Sequence, residues 1–256
     1  MNPNTSRRQF LTAAAAVTAA AATGINPVLA ADRKPVVVVW AEGTAPKKVY
    51  PNEINGAIAE ALKTDLDGWE VVVANLKDGE QGLADELLNR CDVLIWWGHQ
   101  KHGEVKDALV GKIVKRVKED GMGFISLHSS HFAKPNLKLM GTRCSWGAYL
   151  GDSVKLNIRV KDSSHPIAKG VSDFTIDHHE RYSDPYAVPK ADSVVFDGVA
   201  TMADGKTDTS QIGFAWKVGN GKFFYFQAGH ETDPVFADAN IRKIMANAVR
   251  WAAPSK

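Results

Sequence analysis

The sequence predicts an α/β fold with a doubly wound, mostly parallel sheet and a β-rich C-terminal half, and three observations carry that expectation. Between residues 35 and 127, β-branched apolar runs recur with segments of helical period between them. The runs are apolar throughout, as strands buried on both faces are. Beyond Gly141 the rhythm changes: Val154 to Val160 alternates polar with apolar, and strand-like runs follow without helices between them.

Taken in order, Pro35 to Trp40 reads as the first buried strand. Asn52 to Lys63 places Ile54, Ala57, Ile58, Ala61 and Leu62 at helical spacing, and Trp69 to Ala74 returns to strand character, which completes a β-α-β unit. Leu83 to Leu88 reads as a helix, Asp92 to Trp97 as a third strand, Glu104 to Lys118 as an amphipathic helix and Gly123 to Leu127 as a fourth strand. In the second half the clearest strands are Val194 to Ala200, Ile212 to Val218 and Lys222 to Gln227. Gly219-Asn220-Gly221 marks a hairpin between the last two. Asn240 to Trp251 closes the chain as an amphipathic helix.

The first thirty residues read as a targeting segment rather than as part of this domain, which is expected over residues 34–254. Ser6-Arg7-Arg8-Gln9-Phe10-Leu11 carries the twin-arginine pattern, an uncharged alanine-rich stretch follows, and Val28-Leu29-Ala30 suits cleavage after Ala30. That stretch, broken by Thr12, Thr18, Thr23 and Gly24, is too weakly apolar to replace the about 20 residues of a membrane span. Export to the periplasm or beyond, with no membrane attachment after signal removal, is the expectation. Without Arg7 and Arg8 the 31 basic residues become 29, against 29 acidic ones. A formally neutral protein without a basic patch argues against a nucleic-acid partner and points to a small neutral or mixed-charge ligand. Two cysteines, Cys91 and Cys144, do not make a disulfide framework and read as separate, semi-buried thiols.

In an open parallel sheet, ligands bind outside the carboxyl ends of the strands. His99 follows the third strand, His128 the fourth, and His230 with Glu231 the strand Lys222 to Gln227. His131 lies one turn beyond His128, and His178 with Glu180 falls in an irregular segment able to fold over the same edge. Imidazoles and a carboxylate gathered in one cleft suit two chemistries. They can hold zinc or a similar divalent metal with a position left open, or act as general acid and base around a bound sugar. No compact metal-binding spacing decides between them. Trp96, Trp97, Trp146 and Trp216 read as core residues rather than sugar platforms, His102 as a helix start and Asp177 as a loop carboxylate.

Longer motifs now stand out. Asp92 to His99 (DVLIWWGH), Gly123 to Phe132 (GFISLHSSHF), His165-Pro166-Ile167 and Phe224 to Thr232 (FYFQAGHET) resemble, in order, the motifs of ThuA-like trehalose-utilisation proteins. His178, Glu180 and Tyr182 match that family's histidine, glutamate and tyrosine, and His179 matches nothing in it. The resemblance implies a flavodoxin-like, class I glutamine amidotransferase-like fold with His230 and Glu231 as the late histidine and glutamate. His128 stands where those enzymes carry their cysteine, so the usual covalent glutamyl intermediate is unavailable. No Gly-x-Ser-x-Gly pattern makes Ser129 or Ser130 a substitute.

The resemblance implies a disaccharide, glycoside or keto-sugar as substrate. We expect His128, His230 and Glu180 in catalysis, with Glu180 or His230 moving the proton, and His99, Tyr182, Glu231 and Ser129 against the sugar. The metal reading assigns His99, His128, His131 and His178 to zinc, manganese or nickel, and no nucleotide cofactor is expected. A sugar-binding or regulatory module that performs no reaction is the alternative, and a homo-oligomer is compatible with either.

Overall fold

The computed structural model describes residues 33–152 and 154–255, so the targeting segment lies outside the described residues. The elements are β1 (Val36–Ala41), α1 (Glu53–Asp65), β2 (Glu70–Asn75), α2 (Asp85–Arg90), β3 (Val93–Trp97), α3 (Asp107–Lys118), β4 (Gly123–Leu127) and α4 (Lys134–Met140), followed by β5 (Ala148–Gly151), β6 (Lys155–Val160), β7 (Phe174–Ile176), β8 (Arg181–Ser183), β9 (Ser193–Thr201), β10 (Thr207–Val218), β11 (Gly221–Phe226) and α5 (Ala239–Ala252).

Nine strands form one sheet in the order β2-β1-β3-β4-β11-β10-β9-β6-β7, while β5 and β8 make a separate antiparallel pair. From β2 to β11 every neighbour is parallel. From β11 to β7 every neighbour is antiparallel. The sheet is therefore mixed: the expected parallel order holds over five strands, and the β-rich C-terminal half is antiparallel beyond them. The reason lies in the connections. A parallel return needs a crossover of a dozen or more residues, usually a helix, and the links β9 to β10 and β10 to β11 are tight turns. Gly219 serves the second turn at φ 61, where a Cβ would collide with the Lys118 carbonyl.

Strand alternation sorts the core into two layers. Val37, Val39 and Ala41 of β1 face α1 (Ile54, Ile58, Leu62) and α5 (Ile241, Ile244, Val249). Val36, Val38 and Trp40 face the opposite layer with Leu88 of α2, Val110 and Ile113 of α3 and Leu139 of α4. Asp238 starts α5 by accepting the Asn240 and Ile241 amides at 2.8 and 3.1 Å. The strand ends are thereby fixed from both sides, and the loops leaving them carry the polar residues. Cys91 and Cys144 are both free and fully buried. Among the described residues no helix is long and apolar enough to cross a membrane.

Candidate active site

Five chain segments converge at the carboxyl edge of the parallel half. β4 ends in a single 3-10 turn, His128–Phe132, whose first residue takes φ 51. A left-handed non-glycine residue directly after a buried strand is the conformation that projects a side chain above the sheet edge. Gly229, after β11, admits this ring: a Cβ there would lie 3.3 Å from the His128 Cβ and 3.2 Å from Trp97. Trp97 stacks on His128 with centroids 5.4 Å apart.

His128 is completely buried and its tautomer is fixed. Nδ1 lies 3.0 Å from the Gln227 carbonyl, which can only accept, so Nδ1 carries a proton and donates it. Nε2 then points at Oε2 of Glu180, 2.6 Å away. Burial works to raise the Glu180 pKa, but the charge and hydrogen bonding of His128, the Tyr182 hydroxyl and His230 outweigh it and bring it down to about 2. A carboxylate oxygen this close to a ring nitrogen shares a proton with it, and a metal held by both atoms at about 2.0–2.2 Å would set them further apart.

His99 stacks on His128 at 5.7 Å, and His230 meets both rings edge-on at 5.1 and 5.7 Å. One ligand atom each from His99, His128, Glu180 and His230 lies within 4.8 Å of the others. Three imidazoles and one carboxylate could hold a divalent transition metal. Burial, then the neighbouring His128, lower the His99 pKa, which keeps that imidazole neutral and able to ligate.

The surroundings supply hydrogen bonds. Tyr182 donates to Glu180 Oε2 at 2.7 Å, and the Ser129 hydroxyl lies 3.0 Å from that of Tyr182 and 3.2 Å from His99 Nδ1. Burial pushes the Tyr182 pKa up, so the phenol stays protonated. Glu231 accepts from Gln100 Nε2 at 2.5 Å, and its buried Oε2 has no partner. His230 is anchored through Nδ1, 2.6 Å from the Thr232 hydroxyl.

Two expected ligands stand elsewhere. His131 donates from Nδ1 to the His128 carbonyl at 3.0 Å, and its ring lies among Trp146, Tyr182, Tyr186 and Tyr225. It is not in the donor set, because a one-turn spacing in this tight 3-10 turn carries the ring behind the elbow. His178 is exposed after the bend at Asp177, and its unexplained neighbour His179 is the buried one. His179 Nε2 contacts the Gln227 side chain at 3.3 Å, as does Arg181 at 3.1 Å, and Arg181 is neutralised by Asp208. Alternation along the strand puts Glu180 and Tyr182 on the cluster side and His179 and Arg181 on the core side.

Sequence reasoning missed Glu42, at the end of β1. One oxygen of this buried carboxylate accepts three successive amides, those of His99, Gln100 and Lys101, each at 2.8 Å. It pins the loop that carries His99. An acid directly after a buried parallel strand and before Gly43 was the available signal. The wider cavities, about 490 Å³ beside α1 and about 690 Å³ between α3 and α4, are lined by no histidine.

Residues 36–252 match the ThuA family, described as trehalose utilisation. The chain belongs to that family. Residues 4–24 match the twin-arginine translocation signal sequence, the mark of an exported protein. Similar solved structures include a ThuA-like protein from Parabacteroides merdae (TM-score 0.62, 12% identity, 88% of this chain and 92% of that one). Another is a ThuA-like protein from Bacteroides uniformis (TM-score 0.58, 18% identity, 86% and 91%). A glutamine amidotransferase from Thermotoga maritima shares the fold at TM-score 0.53 and 9% identity, over 85% and 97%. No curated protein matches significantly. In this ThuA chain the elbow carries His128, while Cys144 is buried away from it with its thiol pKa raised by burial.

Proposed function

We propose that the protein is an exported, metal-dependent enzyme acting on a glycoside or on a keto-sugar derived from one, in the periplasm or outside the cell. The observation that carries this is the convergence of one ligand atom each from His99, His128, Glu180 and His230 within 4.8 Å. Zinc, manganese and nickel all suit such donors. The ion would polarise a substrate oxygen and lower the pKa of a water held beside it.

The chain's own residues do the rest. Tyr182 and Ser129 offer hydroxyls to the sugar, Gln100 and Glu231 offer an amide and a carboxylate, and Trp97 keeps the His128 ring side dry. With Glu180 in the donor set, Glu231 is the carboxylate left to take up a proton, since its Oε2 is buried without a partner. A metal-free acid–base reading is favoured by the 2.6 Å His128 and Glu180 pair, which would then share the proton themselves. Glutamine amidotransfer is not proposed, because no thiol stands at the elbow.

Incubating metal-free protein with and without added zinc, manganese or nickel, on trehalose, cellobiose and their keto forms, and following products by NMR, tests this. Metal-dependent turnover supports it. Turnover indifferent to metal supports the acid–base reading, and sugar bound but recovered unchanged under every condition supports a binding module.

A further inference from the structure

His179 is the histidine that the motifs leave unexplained, and it is fully buried one residue before Glu180. Both of its ring nitrogens are in use. Nδ1 lies 3.4 Å from the Gly229 amide, which can only donate, so Nδ1 carries the lone pair and the proton sits on Nε2. Nε2 faces Gln227 Oε1 at 3.3 Å. The same oxygen faces Arg181 Nη1 at 3.1 Å, and a guanidinium can only donate, so the Gln227 amide has its oxygen turned towards His179. Two independent contacts thus give the same neutral tautomer. Arg181 is itself held by Asp208 at 2.9 and 2.6 Å and by the Gly198 carbonyl at 3.1 Å. His131, equally buried, leaves its Nε2 without a partner.

These contacts fall on the segment the histidine cluster depends on. The β11 ladder ends with Phe226, opposite Leu127 and Gly213, and the Gln227 amide adds one bond to the Ile212 carbonyl at 2.8 Å. Beyond it the chain passes through Gly229 at φ 150, which residues with a Cβ rarely adopt. On this stretch the Gln227 carbonyl accepts the Nδ1 proton of His128 at 3.0 Å, and His230 follows directly on Gly229.

We propose that His179 is a positioning residue for the cluster: by bridging the Gln227 side chain and the Gly229 amide, it holds residues 227–229 in the shape that fixes the tautomer of His128 and delivers His230. This rests on reading His99, His128, Glu180 and His230 as the site. One short segment then builds the site from two sides, with Glu180 and Tyr182 in the cleft and His179 and Arg181 behind it. Glycine is needed at 229 because a Cβ there would lie 3.3 Å from the His128 Cβ and 3.2 Å from Trp97, yet glycine leaves the backbone free to turn. An imidazole making two bonds supplies the missing restraint.

The test compares the parent with His179→Gln, whose amide can donate to Gln227 and accept from Gly229, and with His179→Leu and His179→Met, which fill similar space and do neither. His131→Ala is the control for lost stability. The exchange rate of the His128 Nδ1 proton is read by heteronuclear NMR of the metal-free protein, and zinc affinity by competition with a chromogenic chelator. The Leu and Met variants are expected to exchange that proton at least about tenfold faster than the parent and to bind zinc about 10- to 100-fold more weakly, as loss of an orienting partner does. His179→Gln should stay within about threefold of the parent in both, and His131→Ala should keep its zinc affinity. Parent-like proton exchange in the Leu and Met variants, or a Gln variant as impaired as they are, overturns the positioning role. A parent that binds no zinc sinks the metal reading alone, and the proton exchange still decides the role of His179.

Discussion

His128 and His131 stand three residues apart in one turn, both fully buried, and do different work. His128 spends Nδ1 on a carbonyl and aims Nε2 at a carboxylate and two other imidazoles. His131 also spends Nδ1 on a carbonyl, but its other nitrogen faces aromatic rings, and burial brings its pKa down to about 3. His179 is of the second kind, likewise neutral at about 3 through burial. Proximity to a strand end does not make a histidine a ligand. What decides is where its second nitrogen points.

The sharpest way to break this contrast is to exchange the roles by mutation. His128→Ala should abolish bound metal and lower kcat/KM by about a thousandfold or more, with a modest change in thermal unfolding. His131→Ala should leave metal content intact and instead destabilise the fold by about 2 to 4 kcal/mol, since it opens a cavity in an aromatic layer. Metal content measured beside denaturant unfolding separates them, and the reverse pattern would sink the comparison.

Glu42 sharpens it next. Glu42→Ala frees the His99, Gln100 and Lys101 amides and should weaken metal binding about 10- to 100-fold, as loss of an orienting partner does. Glu42→Gln keeps an accepting oxygen in place and should recover part of that affinity. Competition titration with a chromogenic chelator reads both, and equal affinity in all three proteins would show that the loop holds itself.

Acid should distinguish the two kinds of histidine more gently. His131 and His179 have folded pKa values near 3 against an ordinary value of 6.5, so below about pH 6.5 only the unfolded chain takes up their protons. Stability should therefore fall as pH drops from about 6.5 towards 3, with each group contributing up to about 1.4 kcal/mol per pH unit. Glu180 adds stability above about pH 4.5 that is lost as pH falls towards 2. Denaturant midpoints across pH should show the slope, and His179→Gln should flatten it between pH 6 and 4. The smallest effect is expected at exposed His178, where His178→Ala should change stability by less than about 0.5 kcal/mol and metal content not at all.

The strands of the parallel half were legible because burial on both faces writes an uninterrupted apolar run, and their order places His99, His128 and His230 at one edge. The antiparallel half was read less well. Strands β5, β7 and β8 are three or four residues long, and no periodicity is visible over so short a span. Glu180 and Tyr182 were therefore placed by motif and not by pattern, and the one-residue choice between His178 and His179 depended on a bend that sequence spacing does not encode. Glu42 was hidden for another reason. Its role is to satisfy backbone amides, which leave no mark on side-chain patterns.

The measurement that bears most directly on the central claim is the metal content of the protein purified without chelators or a metal-binding tag, beside a His99→Ala/His230→Ala double variant and a His131→Ala/His178→Ala double variant. We predict close to one divalent ion per chain in the parent and in the His131/His178 variant, and none in the His99/His230 variant. An ion retained by the His99/His230 variant but lost from the other, or no ion in the parent even after loading with zinc, manganese or nickel, would contradict it.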